Sequence, residues 1–444
     1  MTAAADTEID GSDDPWRQLP AQGSARDIEL GGMFGLGLFL LLVLTGRGQD
    51  LLPSTVRLAL VLAWPFVAYA FMVTRRAWIV VAYVVAGGLA LRIDELLGLG
   101  GSDVLDVTFE AIGVMLGGGS PYDHYYTLAR PAGQPMPYPP AALLLHLPGY
   151  LLGGKLGVFL NEAAFGGLTV ALLGGLASRL SWTLGLPAMA VYASLGNMVY
   201  TSADGSNDTS TGAVLLLAVI AAAWAWQGGW SGRRVVAAGL AAALALATKQ
   251  TTVFVVLLLA VAIWEMGGRR VLARYVVAIA AFLVVISVPF LLLGPIQYLR
   301  GLVAFAGVHL DVYGWNIWTF AQALRWQVPD PGPAAWINIA VTLAALLFVL
   351  RQPMSSIARA TFFGTVVTLV LFLTARWDSF SYFAMIAPLV LALPLLAIWS
   401  ARGVDAPPGP ASEPGPKLPE PAPEPAHAHA PEPAPDPEPA AEAA

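Results

Sequence analysis

Residues 253–293 read VFVVLLLAVAIWEMGGRRVLARYVVAIAAFLVVISVPFLLL and decide the fold class. Two apolar runs, 253–264 and 271–293, flank a short polar segment that contains Arg269 and Arg270. Apolar runs of this length approach or match the helices that cross the hydrocarbon core of a bilayer. The segment therefore predicts two membrane helices joined by a basic turn.

The same pattern extends over most of the chain. Of its 444 residues, 57% are hydrophobic and 12% are charged, whereas soluble proteins are about 25% charged. So few charged side chains cannot cover the apolar surface of a soluble protein. We predict an all-α polytopic membrane protein with about twelve transmembrane helices. The predicted spans are residues 30–44, 58–73, 78–91, 156–177, 184–199, 213–226, 235–247, 253–264, 271–293, 334–350, 360–374 and 382–399.

One further apolar piece, residues 141–152, is too short and broken for a confident crossing, because it follows two prolines and contains Pro148 and Gly149. If it does not cross, the basic clusters of the body collect on one side of the membrane. Basic residues favour the cytoplasmic side. We therefore predict a re-entrant or juxtamembrane helix at 141–152 and cytoplasmic termini. The arginines grouped in this way are Arg75, Arg76, Arg179, Arg233, Arg234, Arg269, Arg270, Arg274, Arg351, Arg359 and Arg402.

Composition divides the chain into three zones. Residues 1–27 form a short acidic cytosolic tail with six acidic and two basic residues, and residues 28–402 form the transmembrane body. Residues 403–444 are rich in Pro, Ala and Glu, with eight acidic residues and one basic residue, and are predicted to be disordered. The net charge of −6 therefore belongs to the tails. It argues against nucleic acid as a partner, and the absence of Cys excludes disulfides and thiolate chemistry.

The predicted topology places two long loops, residues 92–140 and 294–333, on the outer face. Loops of this length are often functional. In the first loop, residues 104–116 have helical periodicity, with Ser102 and Asp103 as candidate N-caps, and predict an amphipathic surface helix. Asp103 and Asp106 are three residues apart and share one helix face. The alternative is that Asp103 only caps the helix while Asp106 faces water.

Two short motifs follow that helix: Ser120-Pro121-Tyr122-Asp123 and Tyr138-Pro139-Pro140. Together with the Asp-bearing loop, the many-helix plan and Lys249-Gln250 at the outer end of a mid-chain helix, they make the sequence resemble the GT-C superfamily of membrane glycosyltransferases. The resemblance is strongest to the bacterial mannosyltransferase-like branch that uses polyprenyl-phosphate sugars. Its specific motifs occupy about forty residues.

The resemblance implies transfer of a sugar, mannose or arabinose, from a polyprenyl-phosphate donor to a lipid, glycan or protein acceptor, with inversion. It also implies that an outer-loop Asp is the general base. Counting back from Pro121-Tyr122, the family's Asp falls near Val104, between the two candidates. Asp103 is favoured because it lies just beyond the membrane exit, and Asp106 stays an alternative. The chain also departs from the family in having one more span than expected ahead of this loop.

Binding the donor's phosphate requires cations or hydrogen-bond donors. We predict substrate contacts at Tyr122, Tyr138, Lys249, Gln250, His309, Asp311 and Arg376. Simpler interpretations stay open: Lys249 could extend to the membrane interface, and Arg376 could pair with Asp378. Arg92 with Glu95, and also Glu162, are predicted to form structural pairings.

The segment 200–208, which carries Asp204 and Asp208, is interpreted as a polar turn, with acceptor or metal contact as the alternative. No cofactor or metal site is predicted, although a divalent metal stays an open alternative. The chain lacks Walker A, HExxH and G-x-S-x-G motifs. A secondary transporter or flippase for a lipid-linked sugar is the second hypothesis, and a non-catalytic scaffold is the third. We expect a multi-pass plasma-membrane protein in contact with lipids, with its active site extracytoplasmic.

Overall fold

The computed structural model describes residues 21–45, 54–98, 101–129, 132–304, 311–378 and 380–404. The regular secondary structure of this part of the chain is helical, apart from one pair of two-residue strands and an isolated bridge between Tyr126 and Gln134, so the predicted all-α class is confirmed. The elements are α1 (Ala25–Thr45), α2 (Thr55–Thr74), α3 (Ala77–Gly98), α4 (Asp103–Leu116), α5 (Ala141–Leu180), α6 (Trp182–Ser194), α7 (Gly196–Ala203), α8 (Asp208–Gln227), α9 (Gly232–Thr248), α10 (Val253–Leu293), α11 (Pro295–Ala304), β1 (Tyr313–Gly314), α12 (Ile317–Ala323), α13 (Pro331–Leu350), α14 (Ile357–Thr374), β2 (Trp377–Asp378) and α15 (Phe380–Val404).

Within the described residues, nine helices are long and apolar enough to cross a membrane. The chain is therefore a polytopic membrane protein, but the predicted count of about twelve is not confirmed. The predicted span 184–199 is divided at Leu195 between α6 and α7, and 235–247 lies in α9, which has only 17 residues. The spans 253–264 and 271–293 share the continuous element α10.

Helix α10 changes direction at a glycine. Gly268 has a φ of 77°, a left-handed conformation that side-chain-bearing residues rarely adopt. It separates two helical arms, 253–267 and 269–293, and Arg269 with Arg270 opens the second arm. The predicted basic turn between two apolar runs is thus present.

Helix α5 is a hairpin of two arms, 141–152 and 155–180, separated by the non-helical residues Gly153 and Gly154. Gly149 and Gly157 bring the arms into backbone contact, with no room for a Cβ atom on either residue. Asn161 ties the arms together by donating from Nδ2 to a backbone carbonyl of the first arm at 2.7 Å. Residues 141–152 therefore fold back on the longer arm, the geometry expected for a re-entrant piece.

The turns of the bundle gather at two ends, as the sequence predicts. At the arginine end, Arg75 pairs with Glu29, and the Asp27 carboxylate accepts from the backbone N–H of Thr183 at 3.0 Å. At the loop end, the N–H of Ser102 donates to the carbonyl of Asp204 at 2.8 Å. These bonds join segments distant in sequence, so each end is a packed layer.

Helix α8 forms the centre of the bundle. It packs against α9, α15 and α5, and most of its residues are buried. In contrast, α2 and both arms of α10 expose large apolar side chains such as Phe66 and Val285. An apolar outer face is typical of helices in contact with lipid. Functional groups near the start of α8 are therefore held by the most buried part of the fold.

Candidate functional site

A cavity of about 240 Å³ lies at the loop end. Its wall combines polar and charged groups with apolar side chains, several of them from α13 and α14. The lining residues are Pro137, Tyr138, Lys249, Gln250, Thr251, Leu302, Pro331, Ala334, Ala335, Asn338, Ile339, Leu371, Phe372, Ala375, Arg376 and Tyr382. Four of the predicted substrate contacts, Tyr138, Lys249, Gln250 and Arg376, are therefore brought together.

Lys249 is the buried cation of this wall. It follows α9 in an extended conformation, and its side chain is only 5% exposed. Its ammonium forms an ion pair with Asp208 and lies 4.3 Å from the ring centre of Tyr382 and 5.5 Å from that of Tyr138. A cation at these distances is stabilised by the aromatic faces. The alternative in which Lys249 extends to the interface is wrong.

Asp208 is the first residue of α8, and its side chain is 2% exposed. A carboxylate at a helix N-terminus is favoured by the helix dipole, and here it also balances the charge of Lys249. The ion pair of Asp208 with Lys249 was not predicted from the polar turn at 200–208. A lysine that is buried at the end of an apolar helix needs a buried acid to compensate its charge. This requirement is the signal in the sequence that could have identified Asp208 as the partner of Lys249.

Tyr138 connects the cavity to the first long loop. Its carbonyl accepts from the hydroxyl of Tyr122 at 2.8 Å. Burial raises the pKa of the Tyr138 phenol well above its ordinary value, and nearby Asp208, Asp103 and Asp204 raise the pKa further. The phenol therefore stays protonated and can donate a hydrogen bond.

Tyr122 does not line the cavity. Its ring lies edge-on to Tyr298 and Phe290, with centroid distances of 4.8 and 5.6 Å. Burial raises the pKa of its hydroxyl well above the ordinary value, with smaller contributions from Tyr298 and Tyr126. Tyr122 therefore positions the backbone of Tyr138, and its predicted direct contact with substrate stays a prediction without support from the cavity lining.

The structure separates the two candidate bases. Helix α4 begins at Asp103, and Ser102 is its N-cap, because the Ser102 hydroxyl accepts from the N–H of Leu105 at 3.3 Å. The alternative in which Asp103 serves only as the cap is therefore wrong. Asp106 forms a partly exposed ion pair with Lys155. Asp103 instead is one of three carboxylates that raise the pKa of the Tyr138 phenol, and it is not among the residues that line the cavity.

Gln250 holds a loop and a helix together at the cavity. Its Nε2 donates to the carbonyl of Pro137 at 3.0 Å and to that of Leu302 at 3.1 Å. Pro137 precedes Tyr138, and Leu302 lies on α11. Gln250 thus keeps the Tyr138 segment next to Lys249.

Arg376 reaches the cavity from the loop after α14. Its guanidinium donates to the carbonyl of Pro329, and its own carbonyl accepts from the N–H of Tyr313 at 3.0 Å. The backbone contact belongs to a parallel pairing of β1 with β2, in which Tyr313 is opposite Trp377. The second long loop is thereby tied to the cavity wall.

The remaining predicted residues have other positions. His309 lies outside the described residues, and Asp311 is exposed and not among the residues that line the cavity. Arg92 is buried and donates to the backbone carbonyls of Gly88, Tyr192 and Ala193 at 2.9, 2.9 and 3.0 Å. The bonds to Tyr192 and Ala193, near the end of α6, were not predicted.

Two cavity residues, Tyr382 and Asn338, were not predicted from the sequence, and Asp204 was named there only as part of the polar turn with its alternative of acceptor or metal contact. Tyr382 and Asn338 line the cavity from apolar helices, where aromatic and amide side chains give no distinctive pattern. Burial raises the pKa of Asp204 to about 7, and Asp208 and Glu162 add to the shift against hydrogen bonds from Ser206. The Asp204 carboxyl group is therefore ionised in only part of the molecules at neutral pH.

Lys249, Arg376 and the protonated phenol of Tyr138 line one cavity, with the Asp208 carboxylate paired to Lys249, and such a lining can contact an anion. Within the described ranges, no group of three His, Asp or Glu side chains is placed to hold a metal ion. No family model, curated protein or solved structure matches this chain. Function must therefore be inferred from the residues themselves.

Proposed function

We propose that this chain is an integral membrane glycosyltransferase of the GT-C type. In this proposal it transfers a sugar, mannose or arabinose, from a polyprenyl-phosphate donor to a lipid, glycan or protein acceptor. The observation that carries the proposal is the buried Lys249 in a cavity wall that also contains Tyr138 and Arg376. This wall supplies cations for a phosphate, and the resemblance assigns the carboxylate for proton transfer to Asp103.

The cavity suits an amphiphilic donor. Lys249 and Arg376 supply positive charge at its polar side. Ala334, Ala335 and Ile339 of α13 supply an apolar side, and α13 lies at the edge of the bundle with most residues outside the core. A prenyl chain would leave along α13 toward lipid, while the phosphate stays at the cations.

In the proposed reaction, the acceptor oxygen forms a bond to the anomeric carbon while the bond from that carbon to the phosphate oxygen breaks. The proton of the acceptor hydroxyl passes to the Asp103 carboxylate, and the bonding electrons leave with polyprenyl phosphate. Lys249 and Arg376 stabilise the leaving phosphate. The phosphate is a good leaving group without protonation, so one carboxylate is sufficient.

We also propose how many times the chain crosses the membrane and in which orientation. The two arms of α10, the joined α6 and α7, and α9 would each cross the membrane, which gives twelve crossings together with the other long helices. Both termini would be cytoplasmic, the arginine end would face the cytoplasm, and the cavity would open on the outer face of the plasma membrane. Reaction of single engineered cysteines with an impermeant reagent on intact cells tests this orientation.

Turnover by purified protein in detergent tests the activity. Mannosyl and arabinosyl polyprenyl phosphates are offered with lipid, glycan and peptide acceptors, and release of polyprenyl phosphate is measured. The proposal predicts acceptor-dependent release by wild type and none by Asp103→Asn. Absence of release with every combination, from protein that is folded and monodisperse, would refute it.

A secondary transporter or flippase is a second candidate, because two buried charge pairs, Lys249 with Asp208 and His146 with Glu162, lie in the bundle. Buried ionisable groups in membrane helices are typical of transport pathways. Movement of the lipid-linked sugar across sealed vesicles, without any turnover in detergent, would favour this candidate over the transferase.

A further inference from the structure

The buried pair formed by His146 and Glu162 does not line the cavity and has no role in the proposed chemistry. His146 belongs to the first arm of α5 and Glu162 to the second, and their side chains are 1% and 0% exposed. The Nε2 atom of His146 lies 2.7 Å from Oε1 of Glu162. The pair therefore joins the two arms at a depth that water does not reach.

The hydrogen bonds define the proton content of the pair. The Nδ1 atom of His146 lies 2.7 Å from the carbonyl oxygen of Ala142. A carbonyl oxygen only accepts, so Nδ1 carries a hydrogen. The contact from Nε2 to Oε1 then holds one more proton, on the imidazole or on the carboxyl group. Either arrangement is neutral overall, which lowers the cost of burial.

The other oxygen of Glu162 reaches a different helix. Oε2 accepts from the N–H of Ser210 at 3.0 Å. Ser210 is the third residue of α8, the position whose N–H usually bonds to the N-cap side chain. The N-cap of α8 is Asn207, whose side chain makes no capping bond. Glu162 therefore takes the place of the missing N-cap side chain.

This contact leads directly to the cavity. Two residues before Ser210 lies Asp208, which holds Lys249 in its ion pair between the rings of Tyr138 and Tyr382. We infer that His146 and Glu162 form a positioning unit, in which Glu162 caps α8 from another helix and thereby fixes Asp208 and Lys249. Its effect on substrate binding rests on the proposed function, whereas its effect on α8 does not.

Hydrogen exchange of the first turn of α8 tests the cap independently of any activity. Glu162→Ala removes both contacts, and we expect amide exchange near Ser210 to rise about tenfold. Glu162→Gln keeps them, because its amide oxygen can accept from Ser210 while its NH₂ donates to neutral imidazole; exchange should stay within about twofold of wild type.

Asn161→Ala is the matched control, since Asn161 joins the same two arms but contacts no α8 residue through its hydrogen bond. Exchange in α8 should be unchanged in this variant. If Glu162→Ala does not fold, Glu162→Asp replaces it, because the shorter side chain cannot span both His146 and Ser210. Equal exchange of the α8 amides in Glu162→Ala, or in Glu162→Asp where that variant replaces it, and in Asn161→Ala would overturn the inference.

Binding of polyprenyl phosphate supplies the second readout. We expect Glu162→Ala to raise the dissociation constant about tenfold, Glu162→Gln to restore affinity, and Asn161→Ala to leave it unchanged. Equal affinity in wild type and Glu162→Ala would overturn the link to Lys249. If wild type does not bind polyprenyl phosphate, the proposed function fails, while the exchange result still decides whether Glu162 caps α8.

Discussion

Two ion pairs between Lys and Asp lie at the loop end, in very different surroundings. In the pair of Lys155 with Asp106 the side chains are 43% and 24% exposed, and in the pair of Lys249 with Asp208 they are 5% and 2% exposed. An exposed pair is screened by solvent and contributes little. A buried pair makes each partner dependent on the other, because an unpaired buried charge is costly. Such buried charges beside a cavity are typical of functional sites.

The largest predicted effect is loss of one partner of the buried pair. Lys249→Met and Asp208→Asn should each lower the free energy of unfolding by about 3–5 kcal/mol, because each leaves or creates an uncompensated buried polar group. The double variant should lose much less than the sum of the two. The free energy of unfolding is measured in detergent for wild type, the two single variants and the double variant. Additive losses would show that the side chains do not interact.

Loss of the charge of Arg376, the second cation of the cavity, should have a smaller effect, which we expect in the KM for the proposed donor. Arg376→Gln should raise the KM for the polyprenyl-phosphate donor about tenfold, the value of one charge-assisted contact. Arg300→Gln is the matched control, since Arg300 is exposed on α11 and is not among the cavity residues. Equal KM values for the two variants would remove Arg376 from the donor site.

Asp204 should make stability depend on pH. Its pKa is about 7 in the folded protein against an ordinary value of 3.8, so the folded state binds the proton more tightly. This stabilisation is complete below about pH 4 and is lost as the pH rises through 7. The asparagine of the Asp204→Asn variant does not titrate, so this variant lacks the pH-dependent stabilisation. The thermal midpoint of wild type relative to the variant should therefore fall from pH 4 to 7 and then level off. A constant difference would contradict the raised pKa.

The exposed pair should give the smallest effect. Lys155→Met and Asp106→Asn should each change the free energy of unfolding by less than about 1 kcal/mol. The same unfolding assay as for Lys249 and Asp208 measures them. A loss comparable to that of the buried pair would show that exposure does not distinguish the two sites.

Much of the fold follows from the sequence, because apolar length and arginine position are local signals. The basic turn of α10, the surface helix α4 and the folded-back arm 141–152 are all visible in the residues. The number of crossings is less accessible, since α9 is short and the break at Leu195 is marked only by the single Gly196, with no charged residue or proline beside it. Packing against neighbours determines those boundaries.

The site is only partly readable for a different reason. Lys249 and Tyr138 stand out as polar groups beside apolar helices, but their meeting depends on α8 and on the bond from Gln250 to the Pro137 carbonyl. Spacing alone also cannot separate Asp103 from Asp106, since both lie on the first turn of α4. Their partners separate them, and those partners come from distant parts of the chain.

The rate of sugar transfer by Asp103→Asn and Asp106→Asn, measured side by side in detergent, tests the central claim most directly. Loss of a general base should lower the rate of Asp103→Asn by about 10²-fold or more, while Asp106→Asn, altered only at the exposed pair, should stay within about threefold of wild type. Full activity in Asp103→Asn, or loss in Asp106→Asn alone, would contradict the account.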